Sequence, residues 1–211
     1  MSEPQAGELS VKRAPAISWS AVDGREAELV LRCASGDEVA CAALVSEHQR
    51  MVFQLGLHLL GDQDEALDLS QEVFLRVFRT IGRFRGQSAL RTWIYRIAIN
   101  QARNRQRWWK RRHRSEQVSL DEHVQNHGDL PSTDAGSPEM ALGQKEVAAR
   151  IWHALDRLPF DQRTAIILRE IDGLSYEEIA FSLDVAIGTV KSRLTRAREA
   201  LRAQLREASR P

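Results

Sequence analysis

The chain has 211 residues, with 30 lysines and arginines against 29 aspartates and glutamates, and a formal net charge of +1 at pH 7. Hydrophobic residues make up 43% of it, which is enough for one large or two small domains. No apolar run approaches the roughly 18 residues of a membrane span. Residues 1–25 have no apolar core of the kind found in a signal peptide, so we expect a disordered lead-in and a cytoplasmic protein. Cys33 and Cys41 form no CxxC motif and are interpreted as small buried hydrophobes.

Apolar residues recur at spacings of three and four, and alternating apolar and polar runs are missing. This pattern predicts an all-α protein of two small helical domains joined by a flexible linker. The N-terminal domain covers residues 26–112, where glycine-containing breaks separate four helices. These helices are predicted at 26–35, 38–60, 64–81 and 88–112. Residues 113–137 are rich in Ser, Asp, Gly, Asn and His and predict a flexible acidic linker, and the C-terminal domain then covers 138–207.

Positive charge is concentrated between Val73 and Ser115, a stretch that holds thirteen lysines and arginines and no acidic residue. Aromatic residues, among them Trp93 and Tyr95, are interleaved with these cations. Cations meet phosphates and aromatic rings stack on bases, so this composition favours binding of unpaired nucleic acid. A solvated basic helix with aromatic residues in the core would give the same pattern, and Trp93 fits a core position better than a base stack.

The C-terminal domain carries the start and stop signals of a helical hairpin. Ser137-Pro138 predicts the start of its first helix and Leu158-Pro159 the end. Ser175, followed three residues later by Glu178, forms a capping box that begins the third helix. A short turn at 184–186 leads to a final helix with an apolar stripe and a polar face. This is the pattern of a helix-turn-helix, whose second helix contacts base edges and phosphates; an ordinary amphipathic hairpin is the alternative.

Two separated motifs occur, one in each predicted domain. The first consists of ALDLSQEVFLRVF at 66–78, FRGQS at 84–88 and TWIYRIA at 92–98. The second consists of IDGLSYEEIA at 171–180 followed by GTVKSRL at 188–194. In their order and spacing these motifs resemble bacterial sigma factors of the extracytoplasmic-function class (group 4), most of all the RpoE-like members. Residues 66–78 resemble the helix that docks on RNA polymerase, the rest of the first motif resembles the promoter-melting and minus-10 segment, and the second motif resembles the minus-35-reading domain.

The resemblance implies an alternative sigma factor that binds core polymerase, recognises the minus-35 and minus-10 promoter elements and melts DNA. It assigns docking on the β′ coiled coil to Asp68, Gln71 and Glu72. It assigns minus-10 binding to Arg85, Gly86, Gln87, Ser88, Tyr95, Arg96, Asn100, Arg103, Asn104 and Arg107. It assigns minus-35 binding to Thr189, Lys191, Ser192, Arg193, Thr195 and Arg196. The acidic residues at the start of the docking helix could equally serve only to stabilise its N-terminal end.

The same resemblance implies the β′ and β subunits of polymerase, promoter DNA and a membrane-associated anti-sigma factor as partners, with no membrane insertion of the chain itself. It also implies a role in stress response. The sequence has no clustered carboxylates, phosphate-binding glycine loop or activated nucleophile, so we expect neither an enzyme nor a bound metal or cofactor. Two alternatives stay open: a stand-alone helix-turn-helix regulator, and a sigma-like decoy that binds polymerase without opening DNA.

Overall fold

The computed structural model describes residues 24–115 and 138–207, with side chains for residues 24–112 and 147–207. The predicted lead-in, most of the predicted linker and the helix start at Ser137 lie outside the described residues. Within them the chain is helix and turn without a strand, which confirms the all-α prediction. None of the described helices is both long and apolar enough to cross a membrane. The helices of this part are α1 (Gly24–Ala34), α2 (Glu38–Leu60), α3 (Gln63–Thr80), α4 (Leu90–Ser115), α5 (Pro138–Asp156), α6 (Phe160–Glu170), α7 (Tyr176–Leu183) and α8 (Ile187–Glu207).

Helices α1 to α4 form the N-terminal module, and local capping explains where its central hairpin begins and turns. The Asp37 carboxylate accepts a hydrogen bond from the backbone N–H of Ala40 at 3.1 Å, which caps the start of α2. Gly61 ends α2 in the left-handed region, with φ of 73°. Asp62 then accepts from the Glu65 N–H at 2.8 Å and caps α3. These caps fix α2 and α3 as neighbouring helices.

Helix α4 packs against α2 and α3, and Leu90, Ile94 and Ala98, which share one side of the helix, are fully buried. Its first backbone N–H, on Leu90, donates to the carboxylate of Glu26 at 2.5 Å. A side chain from α1 thereby caps the start of α4 across 64 residues of sequence. The helix begins two residues later than predicted and continues to Ser115, three residues beyond the predicted end.

Helices α5 to α8 form the C-terminal module, which contains the predicted helix-turn-helix. The predicted capping box is confirmed: Ser175 and Glu178 exchange side-chain to backbone hydrogen bonds at the start of α7. Asp184 ends α7 with φ of 55°, so the chain turns within three residues into α8. The predicted stripe of α8 is buried at Val190, Leu194 and Ala197.

The two modules pack against each other, which the prediction of two tethered domains did not include. Helix α4 lies against α7, and α2 lies against α6. The rings of His58 on α2 and Trp152 on α5 stack with centroids 4.5 Å apart. The Arg163 guanidinium, on α6, donates to the backbone carbonyl of Leu59 at 2.8 Å. Apolar side chains of both modules therefore belong to one continuous core.

Candidate polymerase and nucleic-acid interfaces

The predicted polymerase-docking residues lie on the outer face of α3. Asp68, Gln71 and Glu72 are all exposed, and they lie three or four residues apart, on one side of the helix. Leu67 and Leu75 flank them and are 47% and 54% exposed. Large apolar side chains exposed beside polar groups are typical of a surface that binds another protein. Helix α3 thus presents a mixed acidic and apolar face to solvent.

One of these docking residues is also held by the basic helix. Arg105, on α4, donates to the Glu72 carboxylate at 2.8 Å and also pairs with Glu65. The side chain of Arg105 is only 15% exposed, so it lies between α3 and α4 rather than on a free cationic surface. This arginine fixes the position of α4 relative to α3, and it is one of the thirteen cations whose concentration favoured nucleic-acid binding in the sequence.

The loop between α3 and α4 turns at a buried glycine. Gly86 is buried with φ of 65°, a conformation that glycine adopts without strain. Ser88 is buried as well, whereas Arg85 and Gln87 on either side of Gly86 are exposed. Arg85 donates to the carbonyl of Gly82 at 3.0 Å, which draws its side chain back toward the preceding turn. The loop therefore alternates exposed polar side chains with buried small ones.

Part of the predicted minus-10 set lies on an open face of α4. Asn100, Asn104 and Arg107 are exposed, and their spacing of three and four residues places them along one side of the helix. An amide group can pair with the edge of a base, and a guanidinium can bind phosphate. Trp108, the next residue, is 49% exposed with the Arg112 guanidinium 5.1 Å from its ring centre. This side of α4 combines hydrogen-bonding, cationic and aromatic groups.

The other part of the predicted minus-10 set faces the C-terminal module. Tyr95 is 1% exposed, and Arg96 and Arg103 are half-buried. Arg96 pairs with Asp184 at 3.1 Å, and Arg103 pairs with Asp161 at 3.1 Å. Each of these two arginines therefore already has a carboxylate partner within the chain.

On α8 the predicted minus-35 residues differ in exposure. Lys191, Thr195 and Arg196 are exposed. Thr189, Ser192 and Arg193 are half-buried. The Thr195 hydroxyl donates to the Lys191 carbonyl at 3.1 Å, and its lone pairs stay free to accept. The exposed residues form a cationic and hydroxyl-bearing face of the kind that enters a DNA groove.

A single carboxylate connects the two predicted DNA-binding helices. Asp161, at the start of α6, binds Arg103 of α4 through Oδ1 and Arg193 of α8 through Oδ2, at 3.1 and 2.8 Å. The side chains of Arg103 and Arg193 are 21% and 19% exposed. Sequence reasoning did not single out Asp161, because an acidic residue in the first turn of a helix is expected for its interaction with the helix dipole alone.

A second acidic residue is buried where α4 meets the loop after α6. Burial raises the pKa of Asp172 to about 6, and the nearby Arg91 opposes that rise. Burial also raises the pKa of Tyr95 to about 12, with the charge of Asp172 as the next cause. Arg91 donates to the backbone carbonyl of Asp172 and to the Tyr95 hydroxyl, both at 3.2 Å. The junction thus contains a cluster of polar groups from both modules.

Family comparisons match both modules separately. A model of sigma-70 region 2 matches residues 44–115, and a model of sigma-70 region 4 matches residues 148–201. The first match contains α3, the loop and α4, and the second contains the helix-turn-helix. The two matches, in this order, define the chain as a factor of the sigma-70 type.

Curated relatives narrow the class. The RNA polymerase sigma-H factor of Pseudomonas aeruginosa is 41% identical over 177 residues, which cover 84% of this chain and 92% of that protein. The ECF RNA polymerase sigma-E factor of Escherichia coli K12 is 39% identical over 173 residues, which cover 82% of this chain and 90% of that protein. The chain therefore belongs to the extracytoplasmic-function (ECF) sigma factors of bacterial RNA polymerase.

Two solved structures share the fold. The sigma factor RpoE of Bartonella quintana, in complex with the anti-sigma factor NepR, has a TM-score of 0.62 and 26% identity, over 80% of this chain and 98% of that chain. CnrH, in complex with the cytosolic domain of CnrY, has a TM-score of 0.61 and 23% identity, over 88% of this chain and 99% of that chain. The second likeness concerns the fold alone.

Proposed function

We propose that this chain is an alternative sigma factor that binds core RNA polymerase, directs it to promoters with defined minus-35 and minus-10 elements, and melts the DNA. The observation that carries this proposal is the presence, on one chain, of an exposed acidic and apolar docking helix beside a basic helix and a separate helix-turn-helix. A stand-alone regulator needs only the last of these.

In this proposal the N-terminal module binds both the polymerase and the melted strand. Asp68, Gln71 and Glu72 dock on the polymerase, and their exposure on α3 supports that role. The loop around Gly86 receives an extruded base, and the exposed Arg85 and Gln87 on either side of the small Gly86 are the groups that can contact it. Asn100 reads the unpaired strand from the open side of α4, where its amide can pair with a base edge.

The C-terminal module reads the duplex upstream. The exposed Lys191, Thr195 and Arg196 contact bases and phosphates in the major groove, and the exposed face of α8 supports this assignment. No covalent chemistry is required of any residue, and we propose that the chain acts as an initiation factor rather than an enzyme, in the cytoplasm.

We extend the proposal to control by an anti-sigma factor, membrane-associated as in the RpoE-like members that the sequence resembles. The sigma factor RpoE of Bartonella quintana, to which this chain is similar, is seen in complex with the anti-sigma factor NepR. Release of the chain from such a partner under stress would then allow it to bind polymerase.

Open-complex formation tests the function directly. The protein is mixed with bacterial core polymerase and a promoter fragment from upstream of its own gene, and permanganate then reports unpaired thymines. We expect reactive thymines near the minus-10 element only when both protein and core polymerase are present. Duplex binding without core polymerase and without melting would instead identify a stand-alone helix-turn-helix regulator. Polymerase binding without melting on any promoter selected from a random library would identify a decoy.

The residue assignment is tested by Asn100→Ala. Loss of one base contact costs about 1–3 kcal/mol, so we expect open complexes to fall about tenfold while polymerase binding is unchanged. Gln49→Ala removes an exposed amide from α2, away from the assigned interfaces, and serves as the matched control. Equal open-complex formation by the two variants would show that Asn100 does not read the unpaired strand.

A further inference from the structure

The corner between α1 and α2 places the two cysteines of the chain side by side. The Sγ atoms of Cys33 and Cys41 lie 2.7 Å apart, and one thiol donates a hydrogen bond to the other. Both are free thiols, and the sequence holds no other cysteine. They precede the segment that matches sigma-70 region 2, which begins at residue 44. Neither residue belongs to the polymerase or DNA interfaces assigned above, so the pair has no role in the proposed function.

A cap and an ion pair hold this corner in place. Asp37 lies midway in sequence between the two cysteines. Its carboxylate accepts a hydrogen bond from the backbone N–H of Ala40 at 3.1 Å and pairs with Arg32 of α1 at 2.7 Å. Because one side chain both caps α2 and binds α1, the end of the first helix is held at the start of the second. The two thiols therefore face each other across a corner that the backbone defines.

The two thiols differ in their access to solvent. Cys33 is 6% exposed, as expected for a small buried hydrophobe, whereas Cys41 is half-buried. Burial raises the pKa of Cys33 to about 12, and the hydrogen bond and charge of Cys41 are the next causes. Cys33 therefore stays protonated at neutral pH. Since the thiolate is the nucleophile, the partly exposed Cys41 is the thiol with which a reagent from solvent reacts first.

We propose that Cys33 and Cys41 form a reversible redox-modification site, in which hydrogen peroxide oxidises Cys41 and Cys33 then closes a disulfide within the chain. The Cys41 thiolate attacks one peroxide oxygen and displaces hydroxide, which leaves as water with the proton of the thiol. The product is a sulfenic acid on Cys41. The Cys33 sulfur then attacks the Cys41 sulfur, and the sulfenic hydroxyl leaves as a second water with the Cys33 proton. Two electrons pass from the two sulfurs to the peroxide.

The arrangement favours closure over further oxidation of Cys41. Cysteines that lie far apart cannot be bridged without backbone movement, whereas these two sulfurs are already in hydrogen-bond contact. Conversion of Cys41 to a neutral sulfenic acid also removes a charge that contributes to the raised pKa of Cys33. A sulfenic acid beside a second thiol condenses to a disulfide, and disulfides of cytosolic proteins are usually transient or redox-sensing. A reversible modification therefore fits this pair better than a permanent crosslink.

The disulfide would fasten α1 to the rest of the N-terminal module. Helix α1 carries Glu26, whose carboxylate accepts from the Leu90 N–H at 2.5 Å and caps the start of α4. Val30 of the same helix is 2% exposed in the core. In the reduced chain only non-covalent contacts hold α1 in this position, and a crosslink restricts its local opening. Oxidation of the thiols is thereby coupled to the cap of α4.

The natural full-length chain tests the chemistry without polymerase or promoter, so the result is independent of the proposed function. Reduced protein is treated with hydrogen peroxide, the excess is removed with catalase, and intact mass and thiols titrated in denaturant are measured. We expect a monomer that has lost two hydrogen atoms and both titratable thiols, and that recovers both with dithiothreitol. Unreacted thiols, oxygen added to one cysteine without a crosslink, or a disulfide-linked dimer would overturn the proposal.

Single-cysteine variants test the order of the two steps. Cys33→Ala leaves Cys41 without a resolving thiol, and we expect a sulfenic acid on Cys41 that dimedone traps. Cys41→Ala leaves only the buried thiol, and we expect its oxidation to be at least about tenfold slower. Equal rates in the two variants would contradict the assignment of Cys41 as the first thiol to react. The mass measurement on the natural chain does not depend on the folding of either variant.

Hydrogen exchange measures the effect on α4. We expect the Leu90 N–H to exchange at least about tenfold more slowly in the oxidised chain than in the reduced chain, because opening of α1 exposes this group. The double variant Cys33→Ala/Cys41→Ala, treated with the same peroxide, is the matched control and should show no change. It also accounts for oxidation of the three methionines. Equal exchange in the two forms of the natural chain would show that the disulfide does not hold the cap of α4.

Discussion

The outer face of α3 is open to solvent, whereas the neighbouring face of α4 lies against the C-terminal module. Asp68 and Gln71 on α3 are exposed, and Tyr95 on α4 is almost fully buried. Both faces belong to the same module, but the covered one holds only part of the residues predicted to bind minus-10 DNA, since Asn100, Asn104 and Arg107 on α4 stay exposed. Arg96 and Arg103, by contrast, are paired with carboxylates of the C-terminal module.

The covered face also differs from an ordinary apolar contact. Its arginines are paired at distances near 3 Å but stay partly exposed, and such pairs contribute little to stability individually. The buried Arg163, by contrast, donates to the Leu59 carbonyl and to the Asp156 carboxylate inside the junction.

The largest expected effect is the loss of that buried contact. Arg163→Ala removes a buried guanidinium that donates to both the Leu59 carbonyl and the Asp156 carboxylate, and we expect the free energy of unfolding to fall by about 3–5 kcal/mol. Urea unfolding measures this change in the free energy of unfolding. Arg157→Ala, at an exposed position nearby, should change stability by less than about 0.5 kcal/mol. Similar losses in both variants would show that the junction is not held by Arg163.

The open face of α3 is tested by charge reversal at its centre. Asp68→Arg should weaken binding to core polymerase at least about thirtyfold, the effect of losing an interface contact worth about 2 kcal/mol. Glu28→Arg, on the exposed side of α1, makes the same charge change away from α3. Surface plasmon resonance with immobilised core polymerase compares the affinities of the two variants. Unchanged affinity for Asp68→Arg would leave its carboxylate with a helix-stabilising role only.

A smaller effect is expected on α8. Lys191→Ala removes one cation from the exposed face, and we expect binding to minus-35 duplex to weaken by about 1 kcal/mol and its salt slope to fall by about one. Fluorescence anisotropy at several salt concentrations gives both quantities. Arg206→Ala, at the far end of the helix, should leave the slope unchanged. The assignment fails if the two variants have the same slope.

The smallest effect concerns pH. Burial raises the pKa of Asp172 to about 6, so the folded protein holds this proton more tightly than the unfolded chain does. The stability that the protonated carboxyl contributes is present below its ordinary pKa and is lost as pH rises through about 6. The surrounding groups are Arg91 and Tyr95 on α4 and Glu178 on α7.

Asp172→Asn should therefore reduce the loss of stability between pH 4.5 and pH 7 by on the order of 1 kcal/mol. Urea unfolding at the two pH values measures this difference. Identical pH dependence in both proteins would show that Asp172 does not titrate in this range. Arg91 partly opposes the effect of burial, so the expected change stays below that of a carboxyl isolated from charge.

Local signals in the sequence were sufficient to predict most of the fold. The capping box of Ser175 and Glu178 and the buried stripe at Val190 and Leu194 are confirmed, because each depends on residues a few positions apart. Trp93 packs against the core, as its spacing predicted, with its ring 5.4 Å from that of Phe84. The match of both modules to sigma regions confirms the family that the motifs indicated.

The junction between the modules could not be predicted in this way. Arg103 and Asp161 are 58 residues apart, and Leu59 and Arg163 are 104 apart, so no periodic pattern connects them. A cation on a polar helix face has the same sequence signature whether it binds solvent, DNA or a carboxylate of the same chain. For the same reason the burial of Tyr95 was not foreseen.

The most direct test of this account is open-complex formation on a promoter fragment, followed with permanganate, for the natural chain and for Asn100→Ala. The account predicts reactive thymines near the minus-10 element only when the protein and core polymerase are both present, and about tenfold fewer open complexes for Asn100→Ala. Duplex binding without core polymerase and without melting would contradict it.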